Sequence, residues 1–287
     1  MDDDLLSPQD LLDLVVLYHL FQFSPYYIQG KYAALEDPTT DGRPAHENAS
    51  LQALFAQRGG YTPADLALVL DLQHSHMANV LPMYSALAER GQVELTTTPY
   101  YHPIMPLLMK EGWTFEDGIR IDKQAWPEDV RNHLTTGMDL FEEELGFRPV
   151  GMWPSEQSVS PAMVTPVAQA GVEWMVTDEL NLAESVKADG THPDVNDPAV
   201  LAIPWNVTAD DGSKIAVVFR DRVISDRIAF QYGSMTPADA VSDFLGYLDG
   251  VRTELILDDK DPSEHLLTVA LDGENWMFMS EFQHVDG

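Results

Sequence analysis

The sequence predicts an α/β fold of mainly parallel strands, on three observations. Short apolar runs alternate with helical segments from residue 93 onward, and strands separated by helices pair in parallel. One helix-start device recurs: Ser7-Pro-Gln-Asp10, Thr62-Pro-Ala-Asp65 and Thr236-Pro-Ala-Asp239 each place a hydroxyl cap, a proline in the first turn and an acid near the positive end of the dipole. There is no glycine-rich phosphate loop, which weakens a nucleotide-binding sheet and leaves a (β/α) barrel or an open doubly wound sheet as the candidates.

In chain order, the three capped helices are expected to end near Pro25, Arg90 and Gly250. Between the first two, residues 29–60 hold Gly30, Pro38, Gly42, Pro44 and a Gly59-Gly60 pair, the composition of a long insertion or lid. Val93 to Thr97 reads as a strand and Pro99 to Gly112 as the loop leaving it. A helix follows from Pro127 to Leu145, with Gly146 as its stop. Val150 to Trp153 is the next strand, Pro161 to Ala170 a helix stopped by Gly171, and Glu173 to Thr177 a strand. Leu201 to Trp205 and Lys214 to Phe219 read as strands joined by a turn at Asp210-Asp-Gly212. Leu266 to Leu271 is the last. The expectation is one catalytic domain over residues 1–287.

Charge narrows the function. Among 287 residues, 47 are acidic and 16 basic, a formal net of −31, which argues against nucleic-acid binding. The acids are spread among aromatics and aliphatics, unlike a disordered tail. A folded, heavily acidic surface repels itself in dilute buffer and is relieved when molar salt cuts the Debye length to about 3 Å, so a halophilic protein is expected. Cysteine is absent, which removes disulfides, thiolate chemistry and cysteine zinc sites. The longest apolar run, Leu11 to Phe23, is broken by Asp13, His19 and Gln22 and reads as a helix of a soluble protein, with no membrane partner. Met1-Asp-Asp-Asp4 is acidic where a signal peptide is positive, and a cytoplasmic location is expected.

Four strand ends release polar clusters: Glu94 and Thr96 to His102; Trp153 and Glu156; Arg220, Asp221 and Asp226; Asp272, Glu274 and Trp276. Parallel strands bring all four to one face. Converging carboxylates beside aromatic rings are the composition of a sugar-cleaving site, in which one carboxylate attacks the anomeric carbon, another protonates the leaving oxygen and indoles stack on pyranose faces. Each residue also has a plainer reading. Glu156 would be a solvated loop glutamate, Asp221 an ion-pair partner of Arg220 or Arg222, His102 a satisfied core histidine, Glu94 an outward strand residue and Trp276 a core aromatic. His74-Ser-His76 lies on a helix, where residues two apart share no face, so packing outweighs a metal site. Asp210-Asp211 and Asp258-Asp259 read as solvated turns.

Gly91-Gln-Val-Glu-Leu-Thr-Thr-Thr-Pro-Tyr-Tyr-His-Pro-Ile104, Gly151-Met-Trp-Pro-Ser-Glu156, Phe219-Arg-Asp-Arg-Val-Ile-Ser-Asp-Arg-Ile228 and Leu271-Asp-Gly-Glu-Asn-Trp276 resemble, in order, four of the five sequence regions of glycoside hydrolase family 57. The resemblance covers about residues 7 to 276. That family contains α-amylases, amylopullulanases, 4-α-glucanotransferases and branching enzymes. The resemblance implies a (β/α)7-type barrel, α-1,4 and α-1,6 glucans such as starch or glycogen as substrate, a retaining mechanism and no cofactor or metal. It implies Glu156 as nucleophile and Asp221 as acid/base, with Trp153, His102, Glu94, Asp226 and Trp276 lining the site. The family's first region, a histidine-and-proline motif on the opening strand, has no counterpart here, and Met277 stands where an acid follows the fifth-region tryptophan. An incomplete barrel is therefore expected, with a second copy or a separate chain supplying the missing first strand. Two rivals stand beside this reading: a non-catalytic glucan-binding remnant, and a metal-dependent polysaccharide deacetylase holding zinc at strand ends.

The charge reading gives a direct outcome. Circular dichroism is expected to show cooperative unfolding at molar salt and loss of that cooperativity in dilute buffer; full cooperativity without added salt would contradict the halophilic reading.

Overall fold

A computed structural model describes residues 6–23, 49–110, 112–114, 118–121, 123–209 and 211–273. The chain divides into two compact units, Met1–Leu87 and Ala88–Gly287, where the sequence suggests one domain.

In the first unit, α1 spans Pro8–Leu20, α2 Ala49–Gln57 and α3 Pro63–Ala78. The capping device works as read: Ser7 and Thr62 accept from the N–H of Asp10 and Asp65, whose carboxylates return a bond to the cap backbone. α1 ends at Leu20, short of Pro25. Of the expected lid, residues 29–48 lie outside the described residues, and Ala49–Gln57 form a helix that buries Leu51 and Leu54. They pack with Val16, Leu20, Phe23, Tyr61 and Val69. The Gly59-Gly60 turn is held by Asp13, whose carboxylate accepts from the N–H groups of Gly60 and Tyr61, each at 2.8 Å. Those bonds, that to Gly60 first, hold Asp13 below the usual carboxylate range. The expected single helix from Thr62 to Arg90 is broken at Asn79, and α4 runs Val80–Glu89. Pro82 causes the break, because it lacks an N–H and its ring collides with the carbonyl four residues back.

In the second unit, α5 spans Met105–Met109, and β1 (Trp113–Thr114) pairs antiparallel with β2 (Arg120–Ile121). α6 runs Pro127–Leu145 and stops at Gly146, whose φ of 86° is the left-handed cap the sequence calls for. β3 (Gly151–Met152), α7 (Pro161–Gln169), β4 (Trp174–Asp178), α8 (Glu179–Ala183), α9 (Pro198–Leu201), β5 (Trp205–Thr208), β6 (Lys214–Arg220), α10 (Arg222–Asp226) and α11 (Pro237–Leu257) complete it. β3, β4, β5 and β6 form one sheet in the order β3-β4-β6-β5. β3, β4 and β6 are parallel, and the β5–β6 hairpin is antiparallel, as its turn predicts. The architecture is thus α/β with a mainly parallel four-stranded sheet, and a closed seven-stranded barrel is not seen among the described residues.

Two expected strands appear as single bridging residues on the flanks: Thr97 pairs with Met152 and Thr268 with Arg220, both in parallel. The last is shortened because a side chain replaces a ladder partner: the N–H of Ala270 donates to Ser225 Oγ. The strand expected at Leu201 to Trp205 lies instead at Trp205–Thr208, and residues 198–201 are helical because Asp197 caps the N–H of Ala199 ahead of Pro198, the same device with an aspartate in place of a hydroxyl. α11 continues past Gly250 to Leu257. The core between sheet and helices includes Val130, Leu134, Met138, Met152, Met163, Met175, Val217 and Phe219.

Two glycines set close approaches here. A Cβ on Gly137 of α6 would lie 3.0 Å from Thr98 O, and one on Gly151 would lie 2.6 Å from the Trp174 indole and 2.7 Å from Thr96 Cγ2. Gly151→Ala is therefore expected to cost about 1–3 kcal/mol by overpacking, read as a lower urea midpoint; an unchanged midpoint would mean that the indole is free to move aside.

Candidate active site

The parallel register brings the site residues together. Thr97 pairs with Met152, Met152 with Met175 and Met175 with Val217, so these four residues form one row across the sheet. His102 lies five residues beyond that row, Glu156 four, Asp178 three and Asp221 four, all at the carboxyl end. Glu94 lies three residues before it. Its carboxylate accepts from the Trp174 indole N–H at 2.6 Å, at the first residue of β4, so the structure does not bring Glu94 to the other site residues.

The loops carrying His102 and Glu156 are backbone-strained. Tyr101, His102, Glu156 and Gln157 all have φ between 53° and 60°, a left-handed conformation uncommon outside glycine. The turns aim the side chains at each other: His102 Nε2 is 3.3 Å from Glu156 Oε1, and both side chains are exposed. Gly137 allows α6 against the first loop, where the N–H of Tyr100 donates to His133 O. The second is held by Gln157 O, which accepts from Thr177 Oγ1 at 2.6 Å. Buried Ser155 Oγ, Gln157 Oε1 and Ser160 Oγ have no hydrogen-bond partner. Trp153, half-buried, leads into this loop.

Asp221 is built differently. It is 3% exposed and caps α10, its Oδ1 accepting from Ile224 N–H at 3.2 Å. The ion pairs expected for it belong to its neighbours. Arg220 pairs with Asp178 at 2.7 Å and Asp226 at 3.2 Å, and Arg222 pairs with Asp226 at 3.3 Å. Asp226 is thus held by two arginines. β3 and β6 flank β4, so at ~4.8 Å per strand spacing the axes of the strands that precede Glu156 and Asp221 are ~10 Å apart. Trp276 lies outside the described residues. His74 and His76 are exposed on α3, and no group of three or more His, Asp or Glu residues forms a metal-ligand set among the described residues.

Sequence reading missed Tyr247, whose phenol donates to Asp221 Oδ2 at 2.6 Å, and Glu179, whose carboxylate accepts from Arg222 N–H at 3.0 Å. A signal existed for the first: Asp239, Asp243 and Tyr247 recur every four residues along α11, one helix face.

The family model for Glycosyl hydrolase family 57 matches residues 18–286. Among curated relatives, alpha-amylase 1 of Dictyoglomus thermophilum is 27% identical over 112 residues, 39% of this chain and 14% of that protein. A 4-alpha-glucanotransferase of Thermococcus litoralis is 20% identical over 196 residues, 68% of this chain and 23% of that protein. The chain thus spans under a quarter of either relative. Among solved structures, the alpha-amylase AmyC of Thermotoga maritima matches at TM-score 0.54 and 15% identity, covering 96% of this chain and 57% of that one. A GH57-type branching enzyme from Pyrococcus horikoshii matches at TM-score 0.54 and 13% identity, covering 95% and 52%. At such identities the likeness is one of fold.

Glu179 gives the site a pH signature. Burial, then repulsion from Asp221 and Asp178, raises its carboxyl above the usual range, against the opposing Arg222 N–H. Ionising it therefore opposes folding. The penalty is absent below the ordinary glutamate value of about 4.3 and grows as pH rises through the raised folded value. Glu179→Gln keeps a carbonyl to accept from Arg222, and is expected to raise the urea midpoint near pH 8 but not near pH 4. An equal shift at both pH values would contradict burial as the cause.

Proposed function

The chain belongs to glycosyl hydrolase family 57, and on that premise we propose that it is a retaining glycoside hydrolase or glucanotransferase acting on α-glucans, salt-adapted and built on a (β/α)7-type barrel. The observation that supports this most is the pairing of unlike carboxylates at one sheet end: exposed Glu156 beside His102, and buried Asp221 two strands away. Exposure suits an attacking group, and burial suits one that changes protonation state during the reaction.

In the proposed mechanism a glucan lies across the carboxyl ends of β3, β4 and β6, with Trp153 as a stacking platform. A Glu156 oxygen attacks the anomeric carbon, the bond to the leaving oxygen breaks, and Asp221 gives that oxygen its proton. The resulting glycosyl ester is then attacked by water or by a sugar hydroxyl. Asp221, now a carboxylate, takes the proton of the attacking group, and Glu156 leaves with its electron pair. Two inversions restore the α configuration. His102, at 3.3 Å from Glu156, steadies the carboxylate, and the two arginines on Asp226 fix the loop after Asp221. With glucan bound, the two catalytic carboxyls are expected about 5–5.5 Å apart, the retaining spacing.

The test is incubation of the full chain with maltooligosaccharides at molar salt, following the product anomer by NMR. The expected product is the α anomer, with Glu156→Ala lowering turnover by about 10³-fold or more. A β anomer as first product would overturn the retaining reading. Binding without turnover would instead favour the glucan-binding remnant.

A further inference from the structure

Asp221 is fixed at each of its polar atoms. Its N–H donates to Thr268 O at 2.8 Å, and its carbonyl accepts from Ser225 N–H at 3.1 Å and Ser225 Oγ at 2.6 Å. Ser225 Oγ in turn accepts from Ala270 N–H at 3.2 Å. Of the carboxylate, Oδ1 takes the Ile224 N–H that α10 offers at its start, and Oδ2 takes the Tyr247 phenol at 2.6 Å. The contacts from Ser225 and Ile224 are local to α10, and that with Thr268 comes from the flanking segment. The Tyr247 contact comes from α11, 26 residues on.

We propose that Tyr247 is a positioning residue for Asp221: its hydroxyl occupies one lone pair of Oδ2 and so fixes the direction in which that oxygen holds and releases a proton. The proposal rests on the reading of Asp221 as the acid/base. Each carboxyl oxygen has two lone pairs. With one Oδ1 pair engaged by a backbone N–H and one Oδ2 pair by the phenol, the carboxyl group cannot turn, and an acid proton on Oδ2 has a single place, the pair the phenol leaves free. Its bearing is then set by the scaffold and not by rotation of the carboxyl group. Transfer to a leaving oxygen needs that fixed bearing, because proton transfer is efficient only along a short, aligned hydrogen bond.

The surroundings keep Tyr247 a donor. Burial, then the bond to Asp221, raises its phenol well above the usual tyrosine value. The charges facing the pair are Glu179 on α8, which acts in the same sense, and Arg227, which opposes it and whose guanidinium carbon stands 5.3 Å from the ring centroid. Arg227 is itself held by Asp243 at 3.0 Å, and Asp243 also accepts from the Tyr232 phenol at 2.8 Å. Burial and that bond push the Tyr232 phenol up to about 12. Two phenol–carboxylate pairs therefore lie side by side, joined through Arg227, and Arg227, Asp243 and Tyr247 also line an open cleft of about 620 Å³. The Asp221 pair carries the proposed chemistry, and the Asp243 pair serves as its internal control.

The discriminating experiment compares two leaving groups on the full chain at molar salt. A maltoheptaose bond breaks only if its oxygen is protonated, whereas 4-nitrophenyl α-maltoside releases a nitrophenolate that needs no proton. Tyr247→Phe is expected to lower kcat/KM on maltoheptaose about tenfold and on the nitrophenyl substrate by less than about twofold. Tyr232→Phe, which removes the matching hydroxyl, leaves both unchanged. Equal losses of Tyr247→Phe on the two substrates, or no loss on either, overturn the proposal. A wild-type chain without turnover, or an Asp221→Asn chain that keeps the wild-type rate on maltoheptaose, overturns instead the assignment on which it rests. The hydrogen bond is read independently by NMR of the chain isotope-labelled at tyrosine Cζ: Asp221→Asn is expected to bring Tyr247 to ionise at lower pH, and an unmoved phenol overturns the contact.

Discussion

The second unit depends on one row of pairings, Thr97–Met152–Met175–Val217. Strand side chains alternate faces, so a slip of one residue at any junction would turn a strand's buried set outward. Met152, Met175 and Val217 are each 2% exposed or less, and burial fixes the register. Because the row fixes the level of four segments, it fixes where their following loops begin. The side chains of interest then emerge within a few residues of each other in height, although their loops share neither length nor conformation. The same row explains why Glu94 parts from the rest: it precedes the row, and so reaches the amino end and the Trp174 indole.

Above that row the loops are held by contrasting means. The Glu156 loop carries strain, with left-handed residues and buried polar atoms lacking partners. The Asp221 loop carries almost none: it is a capped helix start with each polar atom of Asp221 engaged. The difference follows from burial. A carboxylate taken out of water loses several kcal/mol unless its oxygens are bonded, so Asp221 must be fully coordinated. Glu156 at the surface keeps its hydration, and its loop can spend stability on direction. Beside them Arg220 bridges Asp178 at the end of β4 to Asp226 at the end of α10.

What the sequence made legible follows the range of the interactions involved. Helix starts were clear because a capping box is satisfied within four residues, as at Ser7 and Thr62. The α6 stop at Gly146 and the β5–β6 hairpin are likewise local. Where reading failed, a less familiar residue or a distant partner decided. Asp197 filled the cap role of a hydroxyl, Pro82 broke a helix from inside its first turn, and Ser225 Oγ took a ladder position. The site shows the same division. Glu156, His102 and Asp221 stand just past strands that could be counted, whereas Tyr247 lies inside a helix, 26 residues from its partner, and the helix face it shares with Asp239 and Asp243 does not say which carboxylate it meets. The plainer alternative for Asp221, an ion pair with adjoining Arg220 or Arg222, does not hold: in the fold those arginines reach past it to Asp178 and Asp226.

The charge balance acquires a location from these contacts. With 16 basic residues against 47 acidic ones, most carboxylates have no cation to meet. Yet Arg220, Arg222 and Arg227 fall within eight residues, and their ion pairs engage Asp178, Asp226 and Asp243. Cations are thus concentrated where carboxylates are partly withdrawn from water and unpaired charge is most costly. The surface carboxylates are left to solvent, where repulsion is long-ranged and salt screens it. The half-buried pairs at the site are much less sensitive to salt, because little solvent lies between the partners. If added salt stabilises this chain, its effect therefore belongs to the acidic exterior, and the geometry around Asp221 is maintained by short bonds at either salt level.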